Sequence, residues 1–180
     1  MILKVVDVKN PILRAKAKNV SKIDKKILAL IADMQDTLKA QKDPEGVGLA
    51  APQVNKSFQL FVVDYKNLKR TIINPEILET FTKEVEEKKP KKKVKKNEIL
   101  EGCLSLPHYY GPIKRADRVK LKYMDETGKV IEEEFEGFAA QIMLHEIDHL
   151  NGVLFVDRIL EQKSPLYKFD GDEWEEVEIL

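Results

Sequence analysis

Residues 137–150 constrain this chain more than any other stretch. Apolar Phe138, Ile142, Met143, Leu144, Ile147 and Leu150 share that short run with His145, Glu146, Asp148 and His149. Apolar side chains on nearly every face predict a central buried helix, and Asn151-Gly152 supplies its C-terminal stop. Two histidines and two carboxylates are costly to bury there unless they are paired or bind metal. Residues four apart share a helix face, so His145 and His149 can offer two imidazoles to one ion. Glu146 sits one position round, within reach of a water on that ion. This is the spacing of hydrolytic zinc enzymes, whose carboxylate is the general base. Asp148 faces elsewhere and reads as a hydrogen-bond acceptor in helix packing.

A catalytic metal site wants three protein ligands and one open position. The position six beyond His149 is Phe155, and His108 is the one other histidine, read as a residue at the rim of a cleft. Glu161 downstream and the segment Glu101-Gly102-Cys103-Leu104-Ser105 upstream remain open as sources of the third ligand.

The rest of the chain reads as short strands around that helix. Ser21 predicts an N-cap, with Asp24 three residues on, for an amphipathic helix ending near Gln41. Leu60 to Val63 reads as a buried strand. Residues 71–74 and 77–81 read as two short strands around Asn74-Pro75. Residues 118–123 and 130–135 flank Asp125-Glu126-Thr127-Gly128 as a hairpin, and residues 166–169 with Trp174 onward form a closing hairpin. The expected fold is α+β: short antiparallel strands packed around a central buried helix, with an N-terminal amphipathic helix, in one domain of residues 1–180.

Thirty-one basic and thirty-one acidic residues cancel, so no net field draws the chain to DNA or to a membrane. No apolar stretch approaches the roughly 20 residues that cross a bilayer. The N-terminus lacks signal and transit character, and a single cysteine fits a reducing cytoplasm.

Three segments resemble the signature motifs of peptide deformylases: Gly46-Val47-Gly48-Leu49-Ala50-Ala51-Pro52-Gln53, Glu101-Gly102-Cys103-Leu104-Ser105 and His145-Glu146-Ile147-Asp148-His149. They stand in the family's order, and the resemblance covers about residues 2 to 160. It implies a metal held by Cys103, His145 and His149, with Fe²⁺ as the usual ion and Zn²⁺ or Ni²⁺ as substitutes. It implies removal of the formyl group from the N-terminal formylmethionine of newly made proteins. It implies attack of metal-bound hydroxide on the formyl carbon, with Glu146 as general base and then acid. It further implies that Gln53 and the backbone N–H of Leu104 stabilise the oxyanion. Gly46, Val47 and Gly48 look like a strand edge for the substrate backbone, beside Gly102. Ile99, Phe138, Gln141 and Ile142, with Val47, are candidate walls of a methionine pocket. A zinc endopeptidase using the same helix is the alternative.

Two parts stand outside the resemblance. Residues 84–98 carry seven lysines between Lys88 and Lys96 and read as a charged insertion. A transient contact with ribosomal RNA is its functional alternative. Residues 166–180 form an acidic C-terminal tail.

Overall fold

Asp24, not Ser21, starts the first helix. In a computed structural model describing residues 1–83 and 99–178, its carboxylate accepts from the N–H groups of Lys26 (2.9 Å) and Ile27 (3.0 Å). A side-chain oxygen at the N-cap meets the orphan donors of the first turn, and Asp24 does so three residues later than the sequence suggests. Helix α1 then spans Lys25–Ala40, burying Ile27, Leu30, Ile31, Met34 and Leu38.

Strands β1 (Gly48–Ala50), β2 (Leu60–Tyr65) and β3 (Leu68–Phe81) follow. The two strands expected around Asn74-Pro75 are one long strand, β3. Proline cannot donate to a ladder, and the register shifts between Ile73 and Glu76 and again between Ile77 and Glu79. Asn74 takes φ 50° at the first shift, and its side chain ties back to the Val20 backbone, accepting at 2.8 Å and donating at 2.9 Å. A bulge thus bends the strand without ending it. The charged insertion expected at residues 84–98 lies outside the described residues.

Strands β4 (Glu101–Cys103) and β5 (Leu106–Gly111) pair with each other, as do β6 (Arg118–Met124) and β7 (Val130–Glu136). Helix α2 spans Gly137–Leu150. Helix α3 (Phe155–Gln162) has no counterpart in the sequence reading, because its eight residues bury only Phe155 and Ile159. Strands β8 (Leu166–Asp170) and β9 (Glu173–Val177) form the closing hairpin.

The strands make two antiparallel sheets, one ordered β1-β2-β3-β6-β7 and the other β4-β5-β8-β9. Alternation along each strand sends side chains to opposite faces. Phe61, Val63, Ile72, Val119, Leu121, Tyr123 and Phe135 pack with Ile142, Met143, Ile147 and Leu150 of α2. Leu60, Val62 and Ile73 pack instead with Leu30, Ile31, Met34 and Leu38 of α1. The larger sheet is therefore held between the two helices. A third cluster joins Cys103, Ile113, Phe155, Ile159 and Leu166 beneath the smaller sheet. These packings bring β1, β4 and α2 together at one place.

Candidate metal centre

Helix α2 presents His145 and His149 on one face, with ring centroids 4.8 Å apart. Strand β4 brings Cys103 from 46 residues upstream, setting Sγ 3.3 Å from Nε2 of His149. One ligand atom from each of Cys103, His145 and His149 lies within 4.8 Å of the others, and all three residues are buried. Glu161 is exposed and bonded to Arg158, and His108 stands outside the cluster.

The electrostatics match a site built for a cation. Burial alone would raise the Cys103 thiol, but the charges and hydrogen bonds of His149 and His145 outweigh it and hold the thiol well below its ordinary value. Burial likewise opposes the His145 cation, but Glu101 and Cys103 outweigh it and hold that imidazole well above its usual value. A divalent cation bound here would compensate a thiolate in the same way. His149 Nδ1 and Glu146 Oε2 are buried without a protein partner, among the described residues. Buried orphans of this kind call for water or a bound group. The donor set fits a borderline-soft divalent ion.

Glu101 was not singled out as a site residue by the sequence, yet its Oε1 lies 2.6 Å from Nδ1 of His145. A carboxylate on the far nitrogen fixes the ring and leaves Nε2 for a metal. Arg115 grips Glu101 at 2.6 and 2.8 Å and Asp148 at 2.8 Å, and Arg158 holds Asp148 at 2.7 and 3.0 Å. Glu101 is held below the usual carboxylate range because Arg115 and His145 overcome its burial. Arg158 and Arg115 do the same for Asp148. Asp148 is therefore an acceptor for two arginines and no part of the cluster. A signal for Glu101 existed in its place two residues before Cys103, on the same side of a strand.

Glu146 is buried, and desolvation pushes its carboxyl up. Gly48 leaves it room, since a Cβ built there would collide with Oε1 of Glu146. Gln53 is buried at the turn after β1, where Oε1 accepts from the N–H of Ala50 at 2.8 Å. Its Nε2 donates toward Cys103 Sγ (3.6 Å) and Ser105 Oγ (3.4 Å).

A cleft of about 180 Å³ opens onto the cluster, lined among others by Gly46, Val47, Gly48, Gly102, Leu104 and Tyr110, with Phe138 and Ile142 from α2. Gln141 also lines it, with its amide donating to Glu101 at 3.1 Å. Ile99 does not belong to this wall. It is 57% exposed, and the next residue, Leu100, takes the place in the lining. A larger cavity of about 310 Å³ between α1 and the big sheet, around Thr71 and Tyr123, holds none of the cluster residues.

Comparison with known proteins identifies the family. A family model described as polypeptide deformylase matches residues 2–165. A peptide deformylase from Dictyoglomus turgidum is 41% identical over 166 residues, covering 91% of this chain and 97% of the relative. One from Thermotoga maritima is 43% identical over 159 residues, covering 88% of each. The crystal structure of the Thermotoga maritima peptide deformylase superposes with a TM-score of 0.74 at 41% identity, over 88% of this chain and 97% of that one. A Synechococcus elongatus peptide deformylase in complex with actinonin gives a TM-score of 0.75 at 37% identity, over 87% and 78%. A cysteine and two histidines around a cleft, inside a chain matched along nearly its whole length, lead to one conclusion: the chain belongs to the peptide deformylase family.

Proposed function

We propose that Cys103, His145 and His149 hold one divalent cation and that Glu146 carries the proton in the family's reaction. That reaction is removal of the N-formyl group from newly made proteins, and the chain is an enzyme that performs it. The observation that carries the residue assignment is the convergence of three buried ligand atoms within 4.8 Å. We take Fe²⁺ as the working ion from the family resemblance, with Zn²⁺ and Ni²⁺ as substitutes; one thiolate and two imidazoles suit all three. When bound, the cation supplies a Lewis acid that acidifies water and polarises the formyl oxygen.

The chain's own groups do the rest. Glu146, with its carboxyl raised by burial, takes a proton from the attacking water at its unpartnered Oε2. The formyl carbon becomes tetrahedral, and its oxyanion receives hydrogen bonds from Nε2 of Gln53 and the backbone N–H of Leu104. Glu146 then passes the proton to the departing amine, and formate and a free N-terminal methionine leave. Val47, Phe138 and Ile142 enclose the methionine side chain, while Gly46, Gly48 and Gly102 admit the peptide backbone. Gly48 has a second duty, keeping space for Glu146.

The chain acts as one catalytic domain, residues 1–180, in the cytoplasm where formylated nascent chains appear. Among the described residues, no helix is long and apolar enough to cross a membrane. Seven lysines within residues 84–98 would favour a transient, salt-sensitive contact with ribosomal RNA. The zinc endopeptidase alternative is not favoured by the family match.

Formate release from a formyl-Met peptide, measured on protein purified without oxygen, tests the mechanism. Glu146→Gln should keep its metal and lose about 10²–10⁴-fold in kcat. Cys103→Ala should lose metal. Wild-type turnover by Glu146→Gln, or full occupancy in Cys103→Ala, would overturn the assignment.

A further inference from the structure

The hairpin of β8 and β9 lies beyond residues 2–165, the part matched to the family, yet it is built onto the wall of the cleft. Tyr110 of β5 pairs with Tyr167 of β8, which pairs with Glu176 of β9, and Phe169 pairs with Trp174. Directly opposed residues of antiparallel strands share a face, and neighbours along a strand alternate. Tyr109 and Leu166 face inward, packing with Ile113, Phe155 and Ile159. Tyr110, Tyr167, Phe169 and Trp174 therefore share the other face.

That face begins inside the cleft. The Tyr110 ring lies over Gly102, where a Cβ would meet it at 2.6 Å, and it lines the cleft opening onto the metal cluster. Trp174 sits edge-on to Tyr110, with centroids 5.5 Å apart, and 4.7 Å from Phe169. Its indole nevertheless remains 52% exposed. Tryptophan is enriched among the residues that carry binding energy at recognition surfaces, and this one adjoins a cleft.

We propose that this aromatic shelf binds the stretch of substrate that follows the formylmethionine and favours apolar or aromatic side chains there. The inference rests on the deformylase reading and adds a specificity-determining residue, Trp174, from outside the matched region. Continuity with the cleft selects this occupant. A chain held by its first residue must leave past the cleft wall, and 5.5 Å from Tyr110 to Trp174 is less than two residues of extended backbone, which rises about 3.3 Å per residue. Glu45 in the lining and Glu176 on the shelf face disfavour acidic side chains.

The test compares kcat/KM for formyl-Met hexapeptides carrying phenylalanine or aspartate at positions three and four, with formyl-Met-Ala as the reference. Wild type should prefer the phenylalanine peptide to the aspartate peptide by about fivefold or more, as expected of one aromatic contact. Trp174→Ala should bring that ratio close to unity, Trp174→Phe should retain most of it, and Phe169→Leu should lower it without removing the indole. An unchanged ratio in Trp174→Ala, with native circular dichroism, would overturn the proposal. If Trp174→Ala fails to fold, an unchanged ratio in Phe169→Leu does so. Concentration-dependent self-association lost in Trp174→Ala, with the ratio intact, would assign the shelf to a second copy of this chain and also overturn it. Failure of wild type to turn over formyl-Met-Ala would sink the deformylase reading itself.

Discussion

Oε1 of Glu101 stands 2.6 Å from Nδ1 of His145, so one ring nitrogen of that histidine is already committed to a carboxylate. That contact decides which nitrogen faces Cys103. Glu101→Gln should weaken metal binding about 10–100-fold, as loss of such an outer partner commonly does. Competition with a chromogenic chelator measures it, and an unchanged dissociation constant would remove Glu101 from the design of the centre.

Gly48 tests how tightly the base is placed. Gly48→Ala puts a methyl group where Oε1 of Glu146 now lies. The carboxylate must shift, and a displacement of about 1 Å can lower kcat on the order of 100-fold. Metal content should stay at the wild-type level. Unaltered turnover would mean that Glu146 works from a different position.

Arg115 joins the two halves of the ionic network, being 8% exposed and bonded to both Glu101 and Asp148. Arg115→Ala removes the partner shared by two buried carboxylates, leaving Glu101 to His145 and Gln141 and Asp148 to Arg158, and should lower unfolding free energy by about 1.5–3 kcal/mol. The midpoint of urea unfolding at neutral pH reads this directly. A loss within experimental error would show that water reaches the pair.

A second pairing, far from the metal centre, sets a pH dependence. Arg70 donates to Glu133 at 2.6 and 3.0 Å, and Tyr123 donates at 2.6 Å. Arg70's hydrogen bonds, against the cost of burial, lower the Glu133 carboxyl. A group whose folded value is depressed contributes stability that is present above its unfolded value, about 4.3 for glutamate, and is lost as pH falls through the folded value. Urea unfolding between about pH 6 and about pH 3 should therefore show stability falling with acid. Arg70→Ala should flatten that fall, and an identical slope in the variant would refute the pairing's role.

What could be read locally was determined by the sequence alone. Helical spacing at Ile27, Leu30, Ile31, Met34 and Leu38, alternation through Val119, Leu121 and Tyr123, and the turn at Asp125 to Gly128 are periods of a few residues, and the structure has elements at each. The pairing of His145 with His149 is of the same kind, being one helical turn. Short elements escaped: α3 and the β4–β5 pair are too brief to repeat a pattern, and β3 hides its continuity behind a bulge at Asn74-Pro75. Capping moved from Ser21 to Asp24 because two acceptable caps lie close together, and it is the Asp24 carboxylate that meets two N–H groups of the first turn.

The centre needed tertiary structure. Cys103 meets His149 across 46 residues and Glu101 meets His145 across 44, separations that no local period encodes. Motif resemblance pointed to Cys103, but nothing in the order of residues set Gly48 beneath Glu146 or Trp174 against Tyr110. Those contacts arise where two sheets and a buried helix converge, and there the cost of burying charge fixes which groups must meet. The helix motif thus pointed to a metal site with a base beside it. The fold decided which groups surround that helix and what lines the cleft beside it.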